Sequence, residues 1–186
     1  TWIIKRFLPN WQEADIAFVP AGKTLNNEIV DSYPHLLHVD TGLGLLDHHQ
    51  TDEKTCAAKK AYEYIKKNVN EVRIGSKSRD SWEDEALERM CEVVNFYDHF
   101  GEASQKDALA DYHVFEAINI LDGMKLVYTD EDMRIMDFGF TMLDAIYKSM
   151  QEKVRAESEM NEGIEFETVW GNGVGFETIN DGVLKL

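Results

Sequence analysis

Short apolar runs separated by helix-like segments characterise the first half of the chain. Residues 15–19 and 36–39 are mostly apolar and are bounded by proline and glycine turn signals, as is typical of buried strands. Helices are predicted over residues 2–8 and 51–67, where apolar positions recur at helical spacing. Because short strands that are apolar throughout occur in parallel sheets covered on both faces, the pattern predicts an α/β fold, a three-layer sandwich with a mainly parallel sheet.

The second half of the chain has mostly helical periodicity, so we expect it to be helix-rich. The predicted helices cover residues 81–97, 112–126 and 130–154, and capping-box residues open the first and the last of them. Beyond residue 163 the segments 166–170 and 174–179 flank a glycine-rich turn, which predicts a hairpin or two adjacent strands. Residues 68–77 are predicted as a strand or connector, and residues 181–186 as the start of a helix.

Composition and charge narrow the class of protein. At 186 residues, 44% of them hydrophobic, the chain is long enough to bury a sizeable core. A formal net charge of -16 argues against binding nucleic acid by bulk electrostatics, which needs many Lys and Arg residues on the phosphates. Nucleic acid stays open as a substrate, because bound divalent cations can face phosphates in an acidic cleft.

The remaining sequence signals concern location. No apolar run approaches the length of a membrane span, so no membrane partner is expected. Cys56 and Cys91 make no disulfide framework, which favours a reducing, cytoplasmic setting. The pattern does not indicate an oligomeric state.

A cluster of acidic and histidine residues follows the second predicted strand. Asp40 ends that strand, Asp47-His48-His49-Gln50 follows closely, and Asp98 comes at the end of the predicted helix over residues 81–97. Carboxylates suit Mn or Mg, and imidazole shifts the preference towards transition metals. A pair of divalent cations roughly 4 Å apart is the usual means of activating water against a phosphoester. Since open parallel sheets bind ligands outside the carboxyl ends of their strands, we predict a hydrolytic metal site here.

These residues resemble the motifs of a known family. Val39-Asp40, Asp47-His48-His49 and the isolated Asp98 are similar to the second, third and fourth motifs of the DHH superfamily of metal-dependent phosphoesterases. Gln50 and the helix containing Phe115-Glu116-Ala117 are most similar to the branch of metal-dependent hydrolases related to the melanocyte-proliferating-gene protein. The resemblance is specific at the histidine cluster and only architectural over most of the chain.

The resemblance implies a role for each of the five residues. Asp40 would bridge two Mn ions, and His48 and Asp98 would bind one of them. Asp47 would support the histidines, and His49 would contact the scissile phosphate. The implied activity is a phosphoesterase that uses Mn, with Mg or Zn as alternatives. It would cleave a nucleotide, a short nucleic acid or another phosphate compound by metal-bound hydroxide.

One departure from the family bears on the domain organisation. Family members carry a first motif, a His followed by Asp-x-Asp, on a strand before the position where this sequence starts, and nothing here replaces it. We expect residues 1–160 to form the catalytic domain without that strand. Residues 161–186 would begin a substrate-binding segment or supply closing strands. The hypothesis is the catalytic domain of a longer phosphohydrolase.

Alternatives to this interpretation stay open. A non-catalytic binding or regulatory module could keep the family's fold with an incomplete metal site. A cysteine hydrolase using Cys56 and His49 is a further alternative. His99 serves equally well as a helix C-cap or as a site residue. His35 and His38 are expected at the surface or in packing, because Pro34 breaks any helix there.

Overall fold

Five helices and one hairpin make up the regular structure of the computed structural model, which describes residues 1–72 and 81–179. The elements are α1 (Trp2–Phe7), α2 (Ala57–Val72), α3 (Ser81–Asp98), α4 (Ala117–Val127), α5 (Asp132–Asn161), β1 (Ile164–Thr168) and β2 (Gly171–Gly175). Single 3-10 turns lie at Leu25–Asn27, Gly101–Ser104 and Asp111–Phe115. None of the helices in the described ranges combines the length and the apolar character needed to cross a bilayer.

The predicted three-layer sandwich with a mainly parallel sheet is wrong. Over the described part of the chain, the sheet is the antiparallel pair of β1 and β2, with Ile164 opposite Gly175. Residues 15–19 have no regular structure, and Phe18 is half exposed. Val39 makes one isolated parallel bridge, to Leu46 a few residues later. A strand needs a continuous partner for its backbone N–H and C=O groups, and this run finds only a local one.

The helix-rich second half is confirmed, and a hairpin forms after residue 163 as predicted. Its strands differ from the predicted ones, because Val169 and Trp170 form the turn and the glycine-rich segment expected there is β2. α3 and α5 lie where helical spacing predicts them, and α5 continues to Asn161. The helix expected over residues 112–126 is instead divided at Glu116, which has an extended backbone after the 3-10 turn. The Glu116 carboxylate accepts the Tyr97 hydroxyl and lies against Nδ1 of His113, so a local and a distant contact accompany the break.

Two other predicted elements differ from the structure in their bounds or their type. The helix expected from residue 51 begins at Ala57 instead, and residues 51–56 have no regular structure apart from a bend at residues 53–54. The strand or connector predicted at residues 68–77 is helical as far as Val72, where α2 ends. Residues 73–77 and the helix expected at residues 181–186 lie outside the described residues.

The chain divides into two compact units. Described residues within 1–77 and 91–123 form the first unit, and those within 78–90 and 124–186 form the second. In the first unit, α1 packs against α2, and the α2 side chains at four-residue spacing are buried, namely Ala57, Ala61 and Ile65. The second unit buries Leu87, Met90, Tyr147 and Val154. All five predicted site residues belong to the first unit.

Candidate metal centre

The loop over residues 40–50 folds back on itself and gathers acidic and imidazole groups. The backbone N–H of Asp40 donates to the carbonyl of Leu46 at 3.0 Å, and the N–H of Asp47 donates to the carbonyl of Gly44 at 3.2 Å. Asp40 has a left-handed φ of 60°, a conformation that Asp tolerates better than most residues. The turn therefore places the Asp40 carboxylate beside the histidine pair.

Asp47 is the buried support of this loop, with a relative exposure of 1%. Its Oδ2 accepts the backbone N–H of Leu43 at 2.8 Å, and its Oδ1 accepts that of His49 at 3.1 Å. Burial tends to raise the pKa of Asp47, but the hydrogen bonds from His49 and Leu43 outweigh it and hold the pKa below its usual value. The carboxylate therefore stays ionised and fixes both the turn and the histidine.

His49 pairs with Asp47 and presents its ring to solvent. Its Nδ1 lies 2.6 Å from Oδ1 of Asp47, and 58% of its side chain is exposed. The hydrogen bond to Asp47 is the main cause that raises the pKa of His49, and the carboxylates of Asp40 and Asp98 add to it. With Nδ1 held by Asp47, protonated His49 carries its second N–H at Nε2, where it can donate to an anion.

His48 lies between the two other predicted ligands. Its Nδ1 is 3.3 Å from Oδ1 of Asp40, and its Nε2 is 3.0 Å from Oδ2 of Asp98 at the end of α3. The ring stacks on that of His49, with centroids 4.3 Å apart. The contact of Nδ1 with Asp40 does not have the geometry of a hydrogen bond, so this buried nitrogen has no hydrogen-bond partner within the described residues. A buried nitrogen without a partner is costly, and a bound cation would satisfy it.

The donor set fits a divalent cation. Asp40, Asp47, His48 and His49 each offer one ligand atom, and these atoms lie within 4.8 Å of one another. Two ligand atoms that bind one metal ion at right angles, each ~2.1 Å from it, lie ~3.0 Å from each other. The distances from the ring nitrogens of His48 to the carboxylates of Asp40 and Asp98 are close to this value. Asp98, also predicted as a ligand, does not belong to this group: it faces Nε2 of His48, whereas Asp40 faces Nδ1, so the carboxylates of Asp40 and Asp98 lie at opposite edges of the ring.

The other histidines and Cys56 have structural roles or lie away from the cluster. His35 is exposed beside Tyr33, and His38 is buried and accepts the N–H of Leu25, which agrees with the surface and packing roles predicted for them. His99 contacts the carbonyl of Asn95 one turn earlier at 2.8 Å, as expected of a residue bonding to the end of its own helix. Burial raises the pKa of the Cys56 thiol, which opposes the thiolate that a cysteine hydrolase would need.

Two residues brace the loop in ways that the sequence alone does not reveal. Gln50 donates from Nε2 to the carbonyls of Gly44 at 3.0 Å and Asp47 at 2.9 Å. Asp31 accepts the backbone N–H of Leu45 at 2.6 Å. The position of Gln50 directly after the histidine pair is the one signal that could have marked it. Asp31 carries no such signal, because its partner is 14 residues away in the chain.

Comparison with known proteins adds no relative. No family model matches the chain, and the searches of curated proteins and of solved structures each found no match.

Proposed function

We propose that this chain is a divalent-metal-dependent phosphohydrolase whose site is related to that of the DHH phosphoesterases. Asp40, His48 and Asp98 would hold the metal, with Mn preferred and Mg or Zn as alternatives. Asp47 and His49 would be the catalytic pair. The observation that carries the proposal is the grouping of Asp40, Asp47, His48 and His49, whose ligand atoms lie within 4.8 Å of one another.

A divalent ion bound here would supply an acidified water and positive charge for the phosphoryl oxygens. The side chains of the protein would orient the substrate and supply protons. Asp47 orients His49 through the contact of 2.6 Å at Nδ1, and it stabilises the protonated ring. Protonated His49 can then donate its Nε2 proton to a phosphoryl or leaving-group oxygen. The exposure of His49 leaves room for a substrate to approach.

The substrate class follows from charge and chemistry. With a formal net charge of -16, the chain lacks the cationic surface that a long nucleic acid would need. A phosphate-containing small molecule or a short nucleic acid, held locally by the metal and His49, fits better. We retain the cytoplasm as the compartment, because Cys56 and Cys91 are buried and neither forms a disulfide.

An activity assay tests the proposal directly. The full chain is incubated with bis(p-nitrophenyl) phosphate in the presence of Mn or of a chelator, and released nitrophenolate is measured. Mn-dependent hydrolysis is expected. Because nitrophenolate leaves as the anion, His49 acts on this substrate as a charged donor to a phosphoryl oxygen, and His49→Asn should lower the rate by about 10²–10³-fold. His35→Asn, an exposed histidine outside the cluster, is the matched control. Absence of hydrolysis with Mn, or equal rates in both variants, would refute the proposal.

A second candidate is a non-catalytic module that binds a metal or phosphate without turnover. It is favoured by the placement of Asp40 and Asp98 on opposite nitrogens of His48, which divides the ligands between two edges of one ring. Saturable Mn binding that depends on His48 but is not accompanied by hydrolysis would identify this function.

A further inference from the structure

A second network of ionisable side chains lies in the first unit, away from the histidine pair. The Tyr97 hydroxyl donates to Oε2 of Glu116 at 2.9 Å. Nδ1 of His113 lies 2.5 Å from Oε1 of the same carboxylate. Tyr97 is in the last turn of α3, directly before Asp98. The network therefore connects the segment over residues 101–116 to the end of the helix that carries Asp98.

The partners of His113 require both of its ring nitrogens to be donors. Nε2 lies 3.0 Å from the backbone carbonyl of Asp107, and Nδ1 faces the Glu116 carboxylate. Both partner atoms can only accept, so only the imidazolium satisfies them together. The hydrogen bond to Glu116 raises the pKa of His113, and burial opposes this without cancelling it.

The surroundings of the network are acidic or aromatic. His113 faces Glu116 and the carbonyl and carboxylate of Asp107, and the ring of Tyr112 lies beside it with centroids 4.5 Å apart. On the α3 side, Tyr97 faces Glu116 and the more distant carboxylate of Glu102. His113 is the positive group among those that mainly shift the pKa values of Glu116 and Tyr97. The protonation state of His113 thus determines whether Glu116 is neutralised.

We propose that His113, Glu116 and Tyr97 form a pH-dependent clamp, which holds the segment over residues 101–116 against the end of α3 while His113 is protonated. The sign follows from linkage, because the pKa of His113 is raised in the folded chain above its ordinary value of 6.5. The stabilisation is complete below pH 6.5 and is lost as the pH rises through the raised pKa. When His113 loses the proton at Nδ1, the lone pair of that nitrogen faces the Glu116 carboxylate and repels it, which weakens the contact of Glu116 with the Tyr97 hydroxyl.

The clamp has a consequence for the candidate metal centre, and this part rests on the proposed function. Asp98 follows Tyr97 directly, and its Oδ2 lies 3.0 Å from Nε2 of His48. When the clamp opens, the last turn of α3 loses its tie to Glu116, and the position of Asp98 becomes less restricted. The clamp would thus couple the geometry of the site to pH through a residue that does not touch it.

Hydrogen exchange and histidine NMR on the metal-free full chain test the clamp. His113 should titrate above 6.5. The protection of amides in residues 95–100 and 111–116, corrected for intrinsic exchange, should fall as the pH rises through that midpoint, by about tenfold for each unit of pKa shift. His113→Gln should remove this pH dependence, whereas the matched control His35→Gln should retain it. If His113→Gln fails to fold, Tyr97→Phe provides the test, since it removes only the hydroxyl and should release residues 95–100 below the midpoint.

The outcomes separate the clamp from the proposed function. A His113 midpoint at or below 6.5, or protection that does not change with pH in the wild-type chain, would overturn the clamp even if Mn binds and hydrolysis occurs. If the clamp opens as predicted but the chain binds no Mn, the clamp is supported and only the proposed function is refuted.

Discussion

The Nε2 atom of His48 lies 3.0 Å from Oδ2 of Asp98, which joins the loop over residues 40–50 to the C-terminal end of α3. Of these two side chains, that of His48 is the more buried, with 14% exposure against 30% for Asp98. The contact places an acidic ligand and an imidazole at a separation suited to adjacent positions around one cation. The first prediction follows from it.

Replacing His48 by Ala should abolish stabilisation by Mn. At a hundredfold excess of Mn over its Kd, binding adds about 2.7 kcal/mol, which corresponds to a rise in Tm of about 5–11 °C for a chain of this size. The melting temperature of the wild-type chain is measured with and without Mn and compared with that of His48→Ala. His35→Ala serves as control. A wild-type Tm that does not respond to Mn, or a rise retained in His48→Ala, would contradict a metal role for His48.

Asp47→Asn is expected to destabilise the fold by about 1–3 kcal/mol, because it weakens the acceptors of two backbone N–H groups in a buried position. The same change should lower the pKa of His49 towards 6.5, since its main raising cause is the Asp47 hydrogen bond. Urea unfolding measures the first effect, and NMR titration of His49 measures the second. Asp52→Asn, an exposed acid two residues beyond Gln50, is the control. Equal stability of the two variants would show that Asp47 has no such role.

Gly44→Ala should distort the loop that carries the histidines. An added Cβ would lie 2.6 Å from Oδ2 of Asp31 and would also overlap a methyl group of Val30. Displacing Asp31 removes the acceptor of the Leu45 N–H, so we expect a loss of about 1–3 kcal/mol, as for other overpacking changes. Gly123→Ala, in α4 with open space around it, should instead stabilise by about 0.5–1 kcal/mol. Thermal unfolding of the two variants compares them, and a neutral Gly44→Ala would exclude the close packing of this turn.

The clamp should also open in acid. Hydrogen bonds, first from His113 and then from Tyr97, hold the pKa of Glu116 below its ordinary value of 4.5. Its contribution to stability is therefore present above pH 4.5 and is lost as the pH falls through the lowered pKa. Amide protection of residues 111–116 should decline over this range in the wild-type chain and in the control Glu53→Gln. Glu116→Gln should be less protected at neutral pH and should show no such decline. A decline retained in Glu116→Gln would assign the acid effect to another group.

Local signals in the sequence were sufficient for much of the secondary structure. The helical spacing that predicts α3 and α5 lies within each helix. The hairpin is predicted as well, but its turn is at Val169 and Trp170, and the glycine-rich segment expected as the turn forms β2. The sheet could not be predicted in this way. Residues 36–39 have the composition of a strand, but strand pairing depends on a distant partner, and the only bridge that forms there joins Val39 to Leu46.

The candidate site shows the same division between sequence and tertiary structure. That Asp40, Asp47, His48 and His49 are neighbours follows from the order of residues, because they share one short loop whose glycines allow it to turn. That Asp98 faces Nε2 of His48 while Asp40 faces Nδ1 follows from the packing of α3 against this loop. The braces from Gln50 and Asp31 were decided in the same way. Side-chain direction and contacts between distant residues depend on how the elements pack, and the order of residues along the chain does not encode that packing locally.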